Sequence, residues 1–101
     1  MKVFLSHKMS GLEEKAVMRI RYQALEYLIE KYGNNIELID NYHHEDVPEN
    51  AGRIWHLGTS IRMMEEADLI LFCPGWNSAK GCKIERYICD VYNLEHEFMP
   101  Y

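Results

Sequence analysis

The segment Asp68-Leu-Ile-Leu-Phe-Cys-Pro-Gly-Trp-Asn-Ser-Ala-Lys-Gly-Cys-Lys-Ile-Glu85 reads as a strand, a loop and the start of a helix. Leu69 to Cys73 is a short apolar run without alternation, closed off by Asp68 and Pro74. That is the pattern of a strand buried on both faces of a parallel sheet. Pro74-Gly75 stops it. Asn77, Ser78 and Gly81 then punctuate a small polar loop. Ile84, Ile88 and Val91 resume at helical spacing and mark the expected buried stripe of a helix over about 82–94. The loop follows the carboxyl end of the strand, where open α/β sheets bind their ligands. Helix amino termini there also favour anions. Glu85 lies about 100° round the helix from Ile84, on the flank towards Cys89. It is expected to lean over the strand ends and face a cleft bounded by Ser6, the loop after Ile39 and Gly75-Trp76.

Outward from this segment the same alternation of elements repeats. Lys2 to Ser6 reads as a first strand, and His7-Lys8-Met9-Ser10-Gly11 as a strand-to-helix loop. Ser10 and Glu13 form a capping-box pattern ahead of a helix over about 12–32. Val17, Ile20, Ala24, Leu25, Leu28 and Tyr32 share one face of it. Gly33-Asn34-Asn35 ends it. Ile36 to Ile39 is a second strand. Asp40 to Gly52 is a polar, turn-rich connection, long enough to suggest a lid or binding loop. A helix over about 53–67 carries Ile54, Leu57, Ile61 and Met64 as its inner stripe. A short strand at Glu97-Phe98-Met99 closes the chain. The β-α-β-α-β-α-β order predicts one domain, 1–101, of class α/β: a three-layer α/β/α fold with a doubly wound, mostly parallel sheet of about four strands and the first strand in the middle.

Composition sets limits on function. At 101 residues with 48% apolar content, the chain is long enough for one core and is not of disordered type. A net charge of −5 with no basic stripe argues against a nucleic-acid polymer as partner. No stretch is apolar for long enough to span a membrane. Three cysteines without a CxxC pair fit reduced thiols and a cytoplasmic setting. Neither they nor the five histidines have zinc-ligand spacing, so no metal is expected. No cofactor motif is present either. Gly75 and Gly81 are separated by five residues and Gly81 is followed by Cys-Lys, so the loop is not a P-loop.

The predicted topology sorts the polar residues by edge. Ser6, His7, Met9 and Gly11 fall at the carboxyl edge of the strands. So do Asn41 and His43, then His56, and then Gly75, Trp76, Asn77, Ser78 and Gly81. Asp68 falls at the opposite edge, where a folding role is expected. Glu85 reads either as a site carboxylate or as a solvated helix residue favoured by the dipole. Trp76 either covers the sheet end or stacks on a base. His43-His44 belongs to a solvated loop or supplies an acid or base near neutral pH.

The frame of Phe4-Leu5-Ser6, Met9-Ser10-Gly11, Ala67-Asp68, Pro74-Gly75-Trp76 and Ser78-x-x-Gly81-x-x-x-Glu85 resembles the nucleoside 2-deoxyribosyltransferase-like superfamily. Within it the chain is most similar to small proteins, often from phages and bacteria, grouped as DUF4406. The resemblance covers nearly the whole chain. It implies Glu85 as the nucleophile on C1′ of a nucleoside sugar, with Ser78 or Asn77 holding the 5′ end. Two positions depart from the pattern. Phe4 stands where several of those enzymes have a tyrosine, and Ser60 stands where they have a catalytic aspartate. His56, one turn before Ser60 on the same face, is the candidate replacement acid. Phe4-Leu5-Ser6-His7 and Ser78-x-x-Gly81-Cys82-x-x-Glu85 also resemble Toll-type (TIR) domains, some of which cleave NAD with the corresponding glutamate.

The expectation is therefore an N-glycosidic-bond enzyme acting on a nucleoside or nucleotide, by deoxyribosyl transfer or hydrolysis. An ionised Glu85 would serve as nucleophile, with Trp76 or Tyr42 over the base. The alternatives are a binding module that holds a nucleotide without cleaving it, and a TIR-like NAD-cleaving enzyme. A homo-oligomer, dimer or higher, is expected of so small an aromatic-rich chain.

Overall fold

The computed structural model describes residues 1–100. Its strands are β1 (Lys2–Ser6), β2 (Glu37–Leu38), β3 (Leu69–Phe72) and β4 (His96–Phe98), and its helices are α1 (Glu14–Tyr32), α2 (Arg53–Met63) and α3 (Lys80–Tyr92). Short 3₁₀ turns follow α2, at Met64–Glu66, and precede α3, at Trp76–Ser78. All four strands are parallel, in the order β2-β1-β3-β4. Val3, Phe4, Leu5 and Ser6 lie opposite Leu69, Ile70, Leu71 and Phe72. The predicted α/β sheet with β1 inside it is thus the observed one.

The side-chain alternation of the two inner strands makes two cores, one on each face. Val3, Leu5, Leu69, Leu71 and Cys73 pack with Ala24 and Leu28 of α1. Phe4, Ile70 and Phe72 pack with Met64 and with Cys89 of α3. The result is α1 on one face and α2 and α3 on the other, as right-handed crossovers require of this strand order. The direction of winding reverses at β1. The carboxyl ends of β1 and β3, Ser6 and Phe72-Cys73, therefore form the switch point where such sheets hold ligands.

Three helical expectations change. The Ser10–Glu13 capping box does not form, because a turn with Gly11 at φ +78° intervenes and Met9 O accepts the Leu12 N–H at 3.1 Å. Helix α1 starts one residue after Glu13, which makes no side-chain cap. Its buried face holds Val17, Arg21, Ala24 and Leu28, an arginine taking a place the apolar pattern did not show. In α2, Ile54 is 81% exposed, since the first turn overhangs the sheet and the core contact begins further along, with Ile61 and Met64. The largest change is in α3. Ile84 and Val91 are exposed, and the inward face consists of Cys82, Glu85 and Cys89.

The ends of the sheet are tied by polar contacts. At the amino edge the Lys2 N–H donates to Asp68 Oδ2 at 2.8 Å, and the Met1 ammonium donates to Asn35 O at 2.8 Å. Glu97 of the edge strand β4 is clamped to α1. It accepts from Lys31 at 2.8 Å, from Tyr27 at 2.9 Å and from the Tyr32 hydroxyl. Asp68→Ala removes the acceptor for Lys2 and should lower unfolding stability by about 1 kcal/mol. Chemical denaturation measures this, and an unchanged midpoint would show that the contact does not hold the sheet edge.

Candidate functional site

Consecutive residues at the end of β1 face opposite ways, and each meets a different polar system. Ser6 points to the α2/α3 face and His7 to the α1 face. On the α1 face, Arg21 is buried and donates to His7 Nε2 at 3.2 Å, to Asn41 Oδ1 at 2.8 Å and to Ile39 O at 2.9 Å. Asn41 in turn donates from Nδ2 to Leu5 O at 2.9 Å. Because His7 Nε2 accepts from a guanidinium, its Nδ1 carries the proton and donates to Lys8 O at 3.2 Å. Burial holds His7 down to about 4, against the weaker lift of the Lys8 carbonyl, and the nearby Arg21 charge adds to the lowering. His7 is a neutral strut. With Asn41 and Arg21 it fixes the loops after β1 and β2.

On the other face the Ser6 hydroxyl donates to Glu85 Oε1 at 2.6 Å. Glu85 is 6% exposed and sits between Cys82 and Cys89 on the inward side of α3. Small thiols on either side let the helix approach the strand end closely. At Gly81 a Cβ would meet Leu57 Cδ1 of α2 at an ordinary contact distance, 3.4 Å. Burial raises Glu85 to about 7, although the Ser6 hydrogen bond pulls the other way. The sequence suggested a carboxylate kept ionised by the helix amino end. Desolvation outweighs that contribution here, because Glu85 lies in the second turn of α3, where the dipole effect has faded. Burial also pushes the thiols of Cys82 and Cys73 up, to about 11 and about 12. They stay protonated and pack as small apolar groups.

The loop before α3 is spent largely on its own geometry. Gly75 takes φ +91°, a left-handed conformation that glycine adopts without strain, and the Ser78 hydroxyl donates to Gly75 O at 2.8 Å. Trp76 packs edge-on to Phe72 and tilted against Phe98, both 5.3 Å away between ring centroids, so it covers the end of the sheet. Asn77 and Ser78 are exposed at the rim, while Met9 and Gly11 lie in the turn after β1.

The long loop brings in His44, the member of the His43-His44 pair that the sequence did not single out. His43 is exposed and held by Asp40 and Glu14. His44 instead reaches α2, with Nδ1 2.8 Å from His56 Nδ1 and Nε2 3.4 Å from the hydroxyl of buried Ser60. The two rings stack at 5.1 Å, with Trp55 edge-on to both. His56 is thus paired with His44, and no hydrogen bond joins it to Glu85. Nothing in the dipeptide His43-His44 tells which ring turns inward; the fold of the loop decides it.

The family model for a domain of unknown function, DUF4406, matches residues 1–95. The chain belongs to the DUF4406 family. No curated protein and no solved structure matches it. In this DUF4406 chain no group of three or more His, Cys, Asp or Glu side chains converges as a metal site among the described residues. No helix among them is long and apolar enough to cross a membrane. Two surface recesses, of about 270 Å³ beside β2 and about 360 Å³ beside Tyr27 and Lys31, do not include Glu85. A buried, neutral-range carboxyl at the switch point is stronger evidence of a site than either open recess.

The raised Glu85 makes a pH-linked stability test. Below about pH 4.5 the carboxyl is protonated in both folded and unfolded chains and costs nothing. Between about 4.5 and 7 the unfolded chain releases the proton and the folded one holds it, so stability falls as pH rises. Glu85→Gln lacks this penalty. It should match the parent at pH 4.5 and exceed it by about 2–3 kcal/mol at pH 8 in urea unfolding. Equal stabilities at pH 8 would mean that the carboxylate is solvated.

Proposed function

We propose that this DUF4406 protein acts on the N-glycosidic bond of a nucleoside or nucleotide, with Glu85 as the group that engages C1′ of the sugar. The observation that carries the reading is the one buried side-chain carboxyl among the described residues, hydrogen-bonded to Ser6 at 2.6 Å, at the switch point of a doubly wound sheet. The resemblance to nucleoside 2-deoxyribosyltransferases, on the Gly75-Trp76-x-Ser78-x-x-Gly81-x-x-x-Glu85 motif, supports the same residue. Glycosidic cleavage passes through an oxocarbenium-like state, which an adjacent carboxylate stabilises or traps covalently. The carbon–nitrogen bond electrons leave with the base, which takes up a proton. Water or an acceptor base then completes hydrolysis or transfer. Ser6 orients the carboxyl by donating to one oxygen and leaves the other for C1′.

The leaving base needs an acid. Ser60 cannot serve, and His44 with His56 are the imidazoles gathered around it. His44 is held below its ordinary value, first by burial and then by the His56 charge. As Glu85 is buried, part of the carboxyl edge must open for a sugar to reach it. The reading includes a cytoplasmic, homo-oligomeric protein. Ser60 in place of an acid favours a second reading, a module that holds a nucleotide without cleaving it.

Incubation with deoxynucleosides, nucleotides and NAD, followed by chromatography for free base, separates these readings. Base release should rise with pH through about 7 as Glu85 ionises. It should fall at least 10²-fold in Glu85→Gln while ligand binding persists. Turnover unchanged in Glu85→Gln would remove the nucleophile. Binding without release from any compound would establish the module instead.

A further inference from the structure

Helix α3 carries two faces of opposite character. Glu85 and the two cysteines look inward, while Ile84, Tyr87 and Val91 are 43%, 69% and 53% exposed. Ile84, Tyr87 and Val91 recur at steps of three and four, the seam spacing by which one helix packs on another. Among the described residues that seam has no partner. Apolar spacing alone made Ile84 and Val91 core residues; their exposure leaves the pattern without its counterpart.

We propose that this face is a homodimer interface in which α3 packs antiparallel against α3 of a second copy. Three observations select a second copy. The first is area. Ile84, Tyr87 and Val91, with the aliphatic stems of exposed Lys80 and Lys83 beside them, offer on the order of 500 Å² per copy. Pairing two copies hides on the order of 1,000 Å², where specific interfaces begin. The second is charge. The first half of α3 carries Lys80, Lys83 and Arg86, and the second half carries Asp90, so the helix is complementary to itself when reversed. A two-fold axis near Tyr87 sets Ile84 beside Val91 of the other copy and Lys83 beside its Asp90. Lys83 is exposed and has no carboxylate partner among the described residues, whereas Asp90 pairs with Arg86. The third is symmetry: an isologous contact needs one self-complementary patch, and this helix supplies it. Dimerisation would also brace the helix that positions Glu85, yet the interface stands independently of any chemistry at that residue.

Sedimentation velocity across the micromolar range tests it. The parent chain should sediment as a dimer, and Tyr87→Asp as a monomer with unchanged circular dichroism. Lys83→Glu should weaken the dimer several-fold, and Lys83→Glu with Asp90→Lys should restore it. Those changes are confined to exposed side chains, so folding is not at stake. A parent chain that is monomeric throughout would overturn the proposal. So would a dimer indifferent to Tyr87→Asp, and failure of the charge swap to restore association would overturn the antiparallel arrangement.

Discussion

The contact on which the rest of this structure turns is the buried hydrogen bond from Ser6 to Glu85. A carboxyl taken out of water is costly unless it is neutral or well paired. Here it has one hydroxyl donor and apolar surroundings, and it answers by holding its proton to about pH 7. The cost is local and specific. It falls on the one helix that leans over the end of the central strand, at the point where the direction of winding reverses. Residues that put a functional group in a strained or poorly solvated place lower stability there, and such places cluster at sites.

The surroundings are arranged to keep that carboxyl where it is. Cys82 and Cys89 are small enough to let α3 close on the sheet, and Trp76, Phe72 and Phe98 seal the edge beside it. On the opposite face His7, Arg21 and Asn41 lock the ends of β1 and β2 with hydrogen bonds among buried partners. Ser6 is therefore held from both sides: its backbone by the parallel pairing with Phe72, its neighbour by the arginine strut. A hydroxyl fixed this way is a preorganised donor to the buried carboxyl.

The sheet was legible in the sequence because its signal is strong. Val3-Phe4-Leu5 and Leu69 to Cys73 are runs that only two-sided burial explains, and Asp68 read correctly as an amino-edge residue. Glu85 stood out in the sequence as a candidate from its place after the strand–loop break. Its lean towards Ser6 was legible as well; its near-complete burial was not, because Ile84 and Val91, which apolar spacing placed inward, are exposed. Hydrophobic spacing reports where a helix is greasy and not which face meets the core. A face built of Cys, Glu and Cys looks polar to that test. Arg21 escaped for the same reason: an arginine on a buried stripe reads as solvated until its partners are known. His43-His44 was noted as a pair, but not which ring turns inward, since a loop has no period to tell inward from outward.

The most direct test is the titration of Glu85 itself. Carbon-13 labelling of glutamate and NMR detection of its side-chain carboxyl across pH 3–9 would isolate the resonance that disappears in Glu85→Gln. The expected midpoint is near 7, the value that burial against a lone serine donor enforces. A midpoint near 4.5, the ordinary value for a glutamate, would mean that water reaches the carboxylate. The site would then be an exposed helix flank, and the reading of Glu85 as the centre of this fold would be wrong.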